Sequence, residues 1–200
     1  MPDREEILRS LYGAWRLARL DVRGMGEFNL SIEGFWRSFF AAVLVLPGYV
    51  ILVAQKFADV SPTEIEDAPS VLAVEGSTGL GRIILVHGLS YLISWAAFPL
   101  LAAAVTWALD LGRNYVALVV ASNWAAVIQI GIFLAAILLG LILPGVLGSI
   151  LLTMATVAIL FYQWFVIRTA LQTGGGVAFA LVLADLLLNT AINLTAEHML

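Results

Sequence analysis

Near the C-terminus, Asp185, Asn189 and Asn193 recur at intervals of four inside a stretch that is otherwise almost wholly apolar. That spacing places a carboxyl and two amides along one stripe of a helix. Two chemistries fit such a stripe. The acid can titrate as a proton or cation site with the amides as neutral ligands, or the three side chains can act as interhelical glue worth about 0.6–2 kcal/mol per hydrogen bond. Asn123 and Gln163 extend the set. With 1.5 Å of rise per residue, Asn123, Gln163 and Asp185 all fall roughly 10–12 Å below the same end of their helices. Arg168 lies close enough in sequence to that level to serve as a counter-charge to Asp185, or it can snorkel outward. His87 falls roughly 6 Å inside the opposite end, level with Asn189 and Asn193, where it could relay protons or simply bond an amide or carbonyl.

Other chemistry is excluded by composition. The 200 residues include no cysteine and two histidines, which removes disulfides and thiol nucleophiles and leaves too few soft ligands for a zinc centre. No phosphate loop with its lysine, His-Glu-x-x-His or Gly-x-Ser-x-Gly occurs, and no second aspartate stands in the apolar region to pair with Asp185. A lipid-modifying enzyme would lack an activated nucleophile or metal ligands. No paired histidines offer haem or chlorophyll ligation, so the deeper tryptophans, Trp95, Trp124 and Trp164, read as helix contacts, with Trp36 and Trp107 as interfacial anchors. No cofactor is expected. The net charge of −4 argues against a nucleic-acid partner, which needs a basic field.

The elements that position these residues follow from hydropathy. With 62% hydrophobic and 12% charged side chains and a mean hydropathy of +0.98, the chain is expected to be an all-α integral membrane protein. Five stretches match the roughly 20 apolar residues that cross a bilayer core: 38–54, 83–109, 115–142, 149–170 and 177–194. Pro47 and Gly48 predict a kink in the first. Ala121 and Ala125 permit close helix approach in the third. Gly174, Gly175 and Gly176 supply permissive backbone for a tight turn between the last two. The expected organisation is a cytoplasmic interfacial segment over 1–37 and a five-helix membrane domain over 38–196, with an acidic external loop over 56–82.

Orientation follows from the basic residues. Arg4, Arg9, Arg16, Arg19, Arg23 and Arg37 precede the first span, and Arg113 and Arg168 fall on the same side; Lys56 and Arg82 are alone opposite. The positive-inside rule then places the N-terminus in the cytoplasm and the C-terminus outside. The sequon Asn193-Leu194-Thr195 lies too close to the membrane exit for easy glycosylation. Because the first span follows about 37 polar and amphipathic residues, it does not read as a cleaved signal.

Within the leading segment, Ile7, Leu8, Leu11, Tyr12, Ala14, Trp15 and Ala18 map to one helical face, with Arg9 and Arg16 on the other. Such a helix lies on the bilayer surface with its tryptophan at headgroup depth, or docks a partner. Leu8, Leu11, Tyr12 and Trp15 are its interfacial residues. Gly24 and Gly26 interrupt the pattern, and Ser31 is placed to cap a short helix, 32–39, that runs into the first span.

The stretch Leu111-Gly112-Arg113-Asn114-Tyr115-Val116-Ala117-Leu118-Val119-Val120-Ala121-Ser122-Asn123-Trp124 resembles the signature of bacterial members of the Yip family (Ypt/Rab-interacting proteins), in which a polar hairpin leads into a span opening with a Val-Ala-Tyr-Ala-Ser-like run. Trp164-Phe165-Val166-Ile167-Arg168-Thr169-Ala170-Leu171, with the glycines and Ala178 to Ala180 beyond, resembles that family's tryptophan-bearing fourth span. Asn123 and Trp124 stand where such proteins often carry proline. The resemblance, over about 80–194, implies a five-span inner-membrane protein with a cytoplasmic N-terminus and no catalytic residues; eukaryotic relatives associate with Rab GTPases. Two functions are therefore expected to compete: a non-enzymatic scaffold or accessory subunit with a membrane-protein partner or a second copy of itself in the lipid bilayer, and a small transporter or ion-conducting protein centred on Asp185.

Overall fold

A computed structural model of the chain describes residues 1–58, 76–143 and 145–200. The acidic part of the expected external loop, and Pro144 at the turn after the third span, lie outside the described residues. Those residues form helices and turns with no strand: α1 (Arg4–Ala18), a 3-10 turn (Val22–Glu27), α2 (Ile32–Ser38), α3 (Phe40–Ala58), α4 (Gly76–Ala108), α5 (Tyr115–Gly140), α6 (Gly145–Leu171) and α7 (Gly175–His198). Five helical segments, Ile32–Gln55, Gly81–Ala108, Gly112–Gly140, Gly145–Leu171 and Gly175–His198, are long and apolar enough to cross a membrane.

Capping chemistry sets the starts of the first helices. The Asp3 carboxylate accepts from the Glu6 amide at 2.7 Å, and the Ser31 hydroxyl accepts from the Gly34 amide at 3.0 Å, each satisfying a first-turn donor. At Gly34, any Cβ would collide with the Asn29 carbonyl, so glycine is required for the entry into α2. The helix ends carry an unexpected regularity. Leu20, Asp110 and Gln172 hold left-handed φ values of 61°, 54° and 52°. Each is followed by an amide that reaches back five residues: Asp21 to the Arg16 carbonyl, Leu111 to Thr106 and Thr173 to Arg168. This is the Schellman closure, made three times without glycine. The turn before α7 therefore places its left-handed residue at Gln172. Gly174, with φ of −66°, is the residue preceding the helix.

Central to the bundle is α5, with 44% of its span window buried against 17–28% for the other four. Its Leu118, Val119, Val120, Ala121, Trp124 and Ala125 form the middle of the core. Around it pack α1, α2, α3, α4 and α6, and α7 packs on α4 and α6. Glycine permits one of these approaches: at Gly48 a Cβ would lie 2.5 Å from Ile130 Cγ1, so α3 sits on α5 more closely than any other residue type allows. The helix continues through Pro47. The outer surface is strongly apolar, with Leu100, Leu141, Ile142 and Val146 at least 70% exposed, a surface suited to hydrocarbon and poorly suited to water.

The leading segment packs differently from a free surface helix. Ala14, Leu17 and Phe28 belong to the bundle core, with Ile7, Leu11 and Ala18 packed against it. Packing thus runs continuously across the expected boundary at 37/38. The single apolar face read from sequence is two neighbouring stripes: Ile7, Leu11, Ala14 and Ala18 turn inward, while Leu8, Tyr12 and Trp15 remain more than half exposed. One residue of offset separates the two rows by about 100° around the helix.

Candidate functional site

A cavity of about 400 Å³ lies among α3 to α7, and Asn123, Gln163, Asp185 and Asn189 all line it. Trp95, Phe98 and Phe133 contribute aromatic wall. The helix registers that set the common depth in sequence are the ones that bring these residues to one space. Asn193 stands apart, one turn beyond, in a second cavity with Tyr49, His87, Thr190 and Glu197.

The hydrogen bonds show how each side chain is held. Asn123, 4% exposed, donates from Nδ2 to Ser38 Oγ at 2.9 Å, and that hydroxyl donates to the Phe35 carbonyl at 2.7 Å. This relay joins α5 to the α2–α3 junction. Gln163 bridges α6 to two points on α5: its Oε1 accepts from Gln129 Nε2 at 2.6 Å, and its Nε2 donates to Ser122 Oγ at 3.4 Å. Ser122 and Gln129 are seven residues apart and so share a helix face. Asp185 takes its partner from its own helix. Asn189 Nδ2 donates to Asp185 Oδ1 at 2.9 Å and to the Asp185 carbonyl at 3.0 Å, and Asn193 Nδ2 continues the ladder to the Asn189 carbonyl at 2.9 Å.

The five-residue polar cluster thus resolves into parts with different work. Asn123 and Gln163 tie helices together, and Asp185 and Asn189 present one carboxyl–amide pair to the cavity. Asn193 belongs elsewhere. Arg168 is not a counter-charge to Asp185. It is exposed, with its guanidinium 5.3 Å over the Trp164 ring, and no ion pair joins it to Asp185 among the described residues. Five residues separate Arg168 from Gln163, which at 100° per residue turns it about 140° away and raises it about 7.5 Å. His87 is buried in the second cavity, where the Tyr49 hydroxyl donates to its carbonyl at 3.3 Å and lies 3.5 Å from Nδ1. It does not line the cavity of Asp185.

Sequence reasoning missed Ser38, Ser122 and Gln129. Gln129 carried a usable signal, an amide within an apolar run, six residues from Asn123. The two serines did not, because serine in such helices commonly bonds its own backbone, as Ser90 does to the Val86 carbonyl at 2.8 Å.

A second polar assembly fastens the leading segment. The Arg16 guanidinium donates to Asp21 Oδ2 from Nε at 2.8 Å and Nη2 at 2.7 Å and to Glu27 Oε1 at 3.2 Å; Arg9 adds an ion pair to Glu27 at 3.6 Å. These Arg16 bonds, followed by the Arg23 amide on Oδ1, hold the Asp21 carboxyl below the usual carboxylate range. Glu6 accepts from Arg37 Nη1 at 2.9 Å and from Asn29 Nδ2 at 3.0 Å. The Tyr162 hydroxyl, inside the core, donates to the Ala14 carbonyl at 2.8 Å, linking α6 to α1. Arg16 lies on the face opposite the apolar one, and its carboxylate partners, Asp21 and Glu27, come after the left-handed Leu20, a cap that the residue types do not announce.

Comparison with protein-family models, with curated proteins and with solved structures finds no match to this chain.

Proposed function

We propose that this is a multi-pass membrane protein of Yip-like type that works without catalysis, as a scaffold or accessory subunit. Residues 1–37 lie at the cytoplasmic face of an inner membrane, and the C-terminus is external. The observation that carries the reading is the fastening of the leading segment. The Glu6–Arg37 pair ties α1 to α2 and the Tyr162–Ala14 bond ties it to α6, Arg16 fastens it to the 3-10 turn through Asp21 and Glu27, and Leu8, Tyr12 and Trp15 stay exposed. A rigidly presented apolar stripe at the membrane surface suits contact with lipid and with a neighbouring protein. Because α1 also fills core space, point substitutions test it better than truncation. Replacing Leu8, Tyr12 and Trp15 together by serine is expected to release the partner that co-purifies in mild detergent from native membranes. An unchanged partner set, or no partner for the unaltered chain, refutes the scaffold reading.

One observation favours a second reading, a small transporter or ion-conducting protein. Asp185 lines the 400 Å³ cavity, and beyond the Oδ1 bond from Asn189 its carboxyl accepts no other hydrogen bond among the described residues. That leaves an acid able to receive a proton or cation.

A further inference from the structure

A groove of about 720 Å³ lies between the leading segment and the adjoining ends of α5 and α6. The only charged side chains in its lining are Arg113 and Arg168. Asn114 joins the helix ends that carry them: its Nδ2 donates to the Leu171 carbonyl at 2.7 Å, tying the start of α5 to the end of α6. Arg168 is steadied over the Trp164 ring at 5.3 Å. Arg9, Arg16 and Arg37 are engaged with carboxylates, whereas neither groove arginine has an ion-pair partner among the described residues. Thr173 adds a hydroxyl, and Met25, Leu30 and Phe165 form an apolar margin.

We infer that this groove is a binding site for the phosphate headgroup of an anionic membrane lipid. Two arginines in a lining without an acidic residue match a phosphate oxyanion, since a guanidinium presents a planar fork of donors to it. The apolar margin suits the glycerol and first acyl carbons, which a free phosphate ion lacks. The depth is right: Arg113 stands two residues before α5 and Arg168 three before the end of α6, the level at which basic pockets meet headgroups. The site rests on the membrane reading above, and its test separates the two.

Membranes carrying the chain are first washed with alkaline carbonate; release into the wash defeats the membrane reading itself, and retention upholds it. The purified full chain in neutral detergent is then titrated with short-chain phosphatidylglycerol, phosphatidylcholine and inorganic phosphate, reading thermal unfolding. Phosphatidylglycerol is expected to raise Tm more than phosphatidylcholine, with no comparable effect of phosphate. The double variant R113Q/R168Q is expected to bind phosphatidylglycerol about 30-fold more weakly, from two lost arginine contacts. R4Q/R23Q, altering arginines outside the groove, should keep the preference. The single variant R113Q supplies an intermediate loss and covers the case in which the double variant fails to fold. Equal stabilisation by the two lipids overturns the site, as does an unchanged preference in the groove variants. Equal, arginine-dependent stabilisation by inorganic phosphate overturns its assignment to lipid.

Discussion

Gly24→Ala adds one methyl group where the 3-10 turn crosses α1. The new Cβ would lie 2.5 Å from the Gly13 carbonyl oxygen and 3.0 Å from Leu17 Cγ. Ordinary contact begins at 3.4 Å, so the shortfall is about 0.9 Å against a helix backbone that cannot rotate away; overpacking of this kind costs about 1–3 kcal/mol. The turn must lift, and with it the carboxylates of Asp21 and Glu27 that hold Arg16. Gly26→Ala, two residues away in the same turn, meets nothing within 4 Å and is the matched control. Amide hydrogen exchange in detergent reads the difference directly. For Gly24→Ala, amides of 4–27 should exchange roughly 5- to 150-fold faster than for Gly26→Ala, the population shift equivalent to 1–3 kcal/mol, with α5 unchanged. Equal exchange in the two variants would refute the docked arrangement of the leading segment.

Three further outcomes follow from named contacts. The Asp21 carboxyl is held below its usual range by Arg16, so its folded pKa lies under its unfolded value of about 4. Its contribution is fully present above pH 4 and is lost as pH falls through the depressed folded value, so proteolysis of 1–27 should accelerate only on acidification below that range, and acceleration between pH 5 and 7 would contradict it. Asp185→Asn keeps the hydrogen-bonding shape and removes the titrating group; on the transporter reading, proton- or cation-dependent flux in reconstituted vesicles falls to background, and normal flux removes that reading. Trp164→Phe deletes the indole donor to the Gly175 carbonyl, 2.9 Å away, and is expected to lower stability by about 1 kcal/mol from the hydrogen bond, with lost ring volume adding to it; an unchanged Tm would show the hairpin to be held otherwise.

Helix positions were legible because crossing a bilayer demands length and apolarity, both plain in composition. The expected 115–142 and 149–170 meet observed helices Tyr115–Gly140 and Gly145–Leu171. Ends were less legible. Helix α4 begins at Gly76, seven residues before the expected 83, because a helix can continue beyond the apolar stretch that reveals it. Turns were read from glycine, yet the left-handed positions fell to Leu20, Asp110 and Gln172, where the backward hydrogen bond outweighs a strain of about 1–2 kcal/mol. The glycines were used for proximity: at Gly175 a Cβ would sit 3.1 Å from the Trp164 ring. In the candidate site, depth was readable from residue counting and partnership was not. Whether Asp185 bonds Asn123 or Asn189 depends on helix rotation, which four-residue spacing does not determine between neighbouring helices.

On the proposed topology the chain crosses the membrane five times with its leading segment on the cytoplasmic face, and the absence of native cysteine makes one measurement decisive. Glu5→Cys and Leu200→Cys, each the sole thiol in its variant, are treated with a membrane-impermeant maleimide in right-side-out vesicles. Labelling is expected at 200 in intact vesicles and at 5 only after permeabilisation; labelling of both from the same side would contradict the proposed topology.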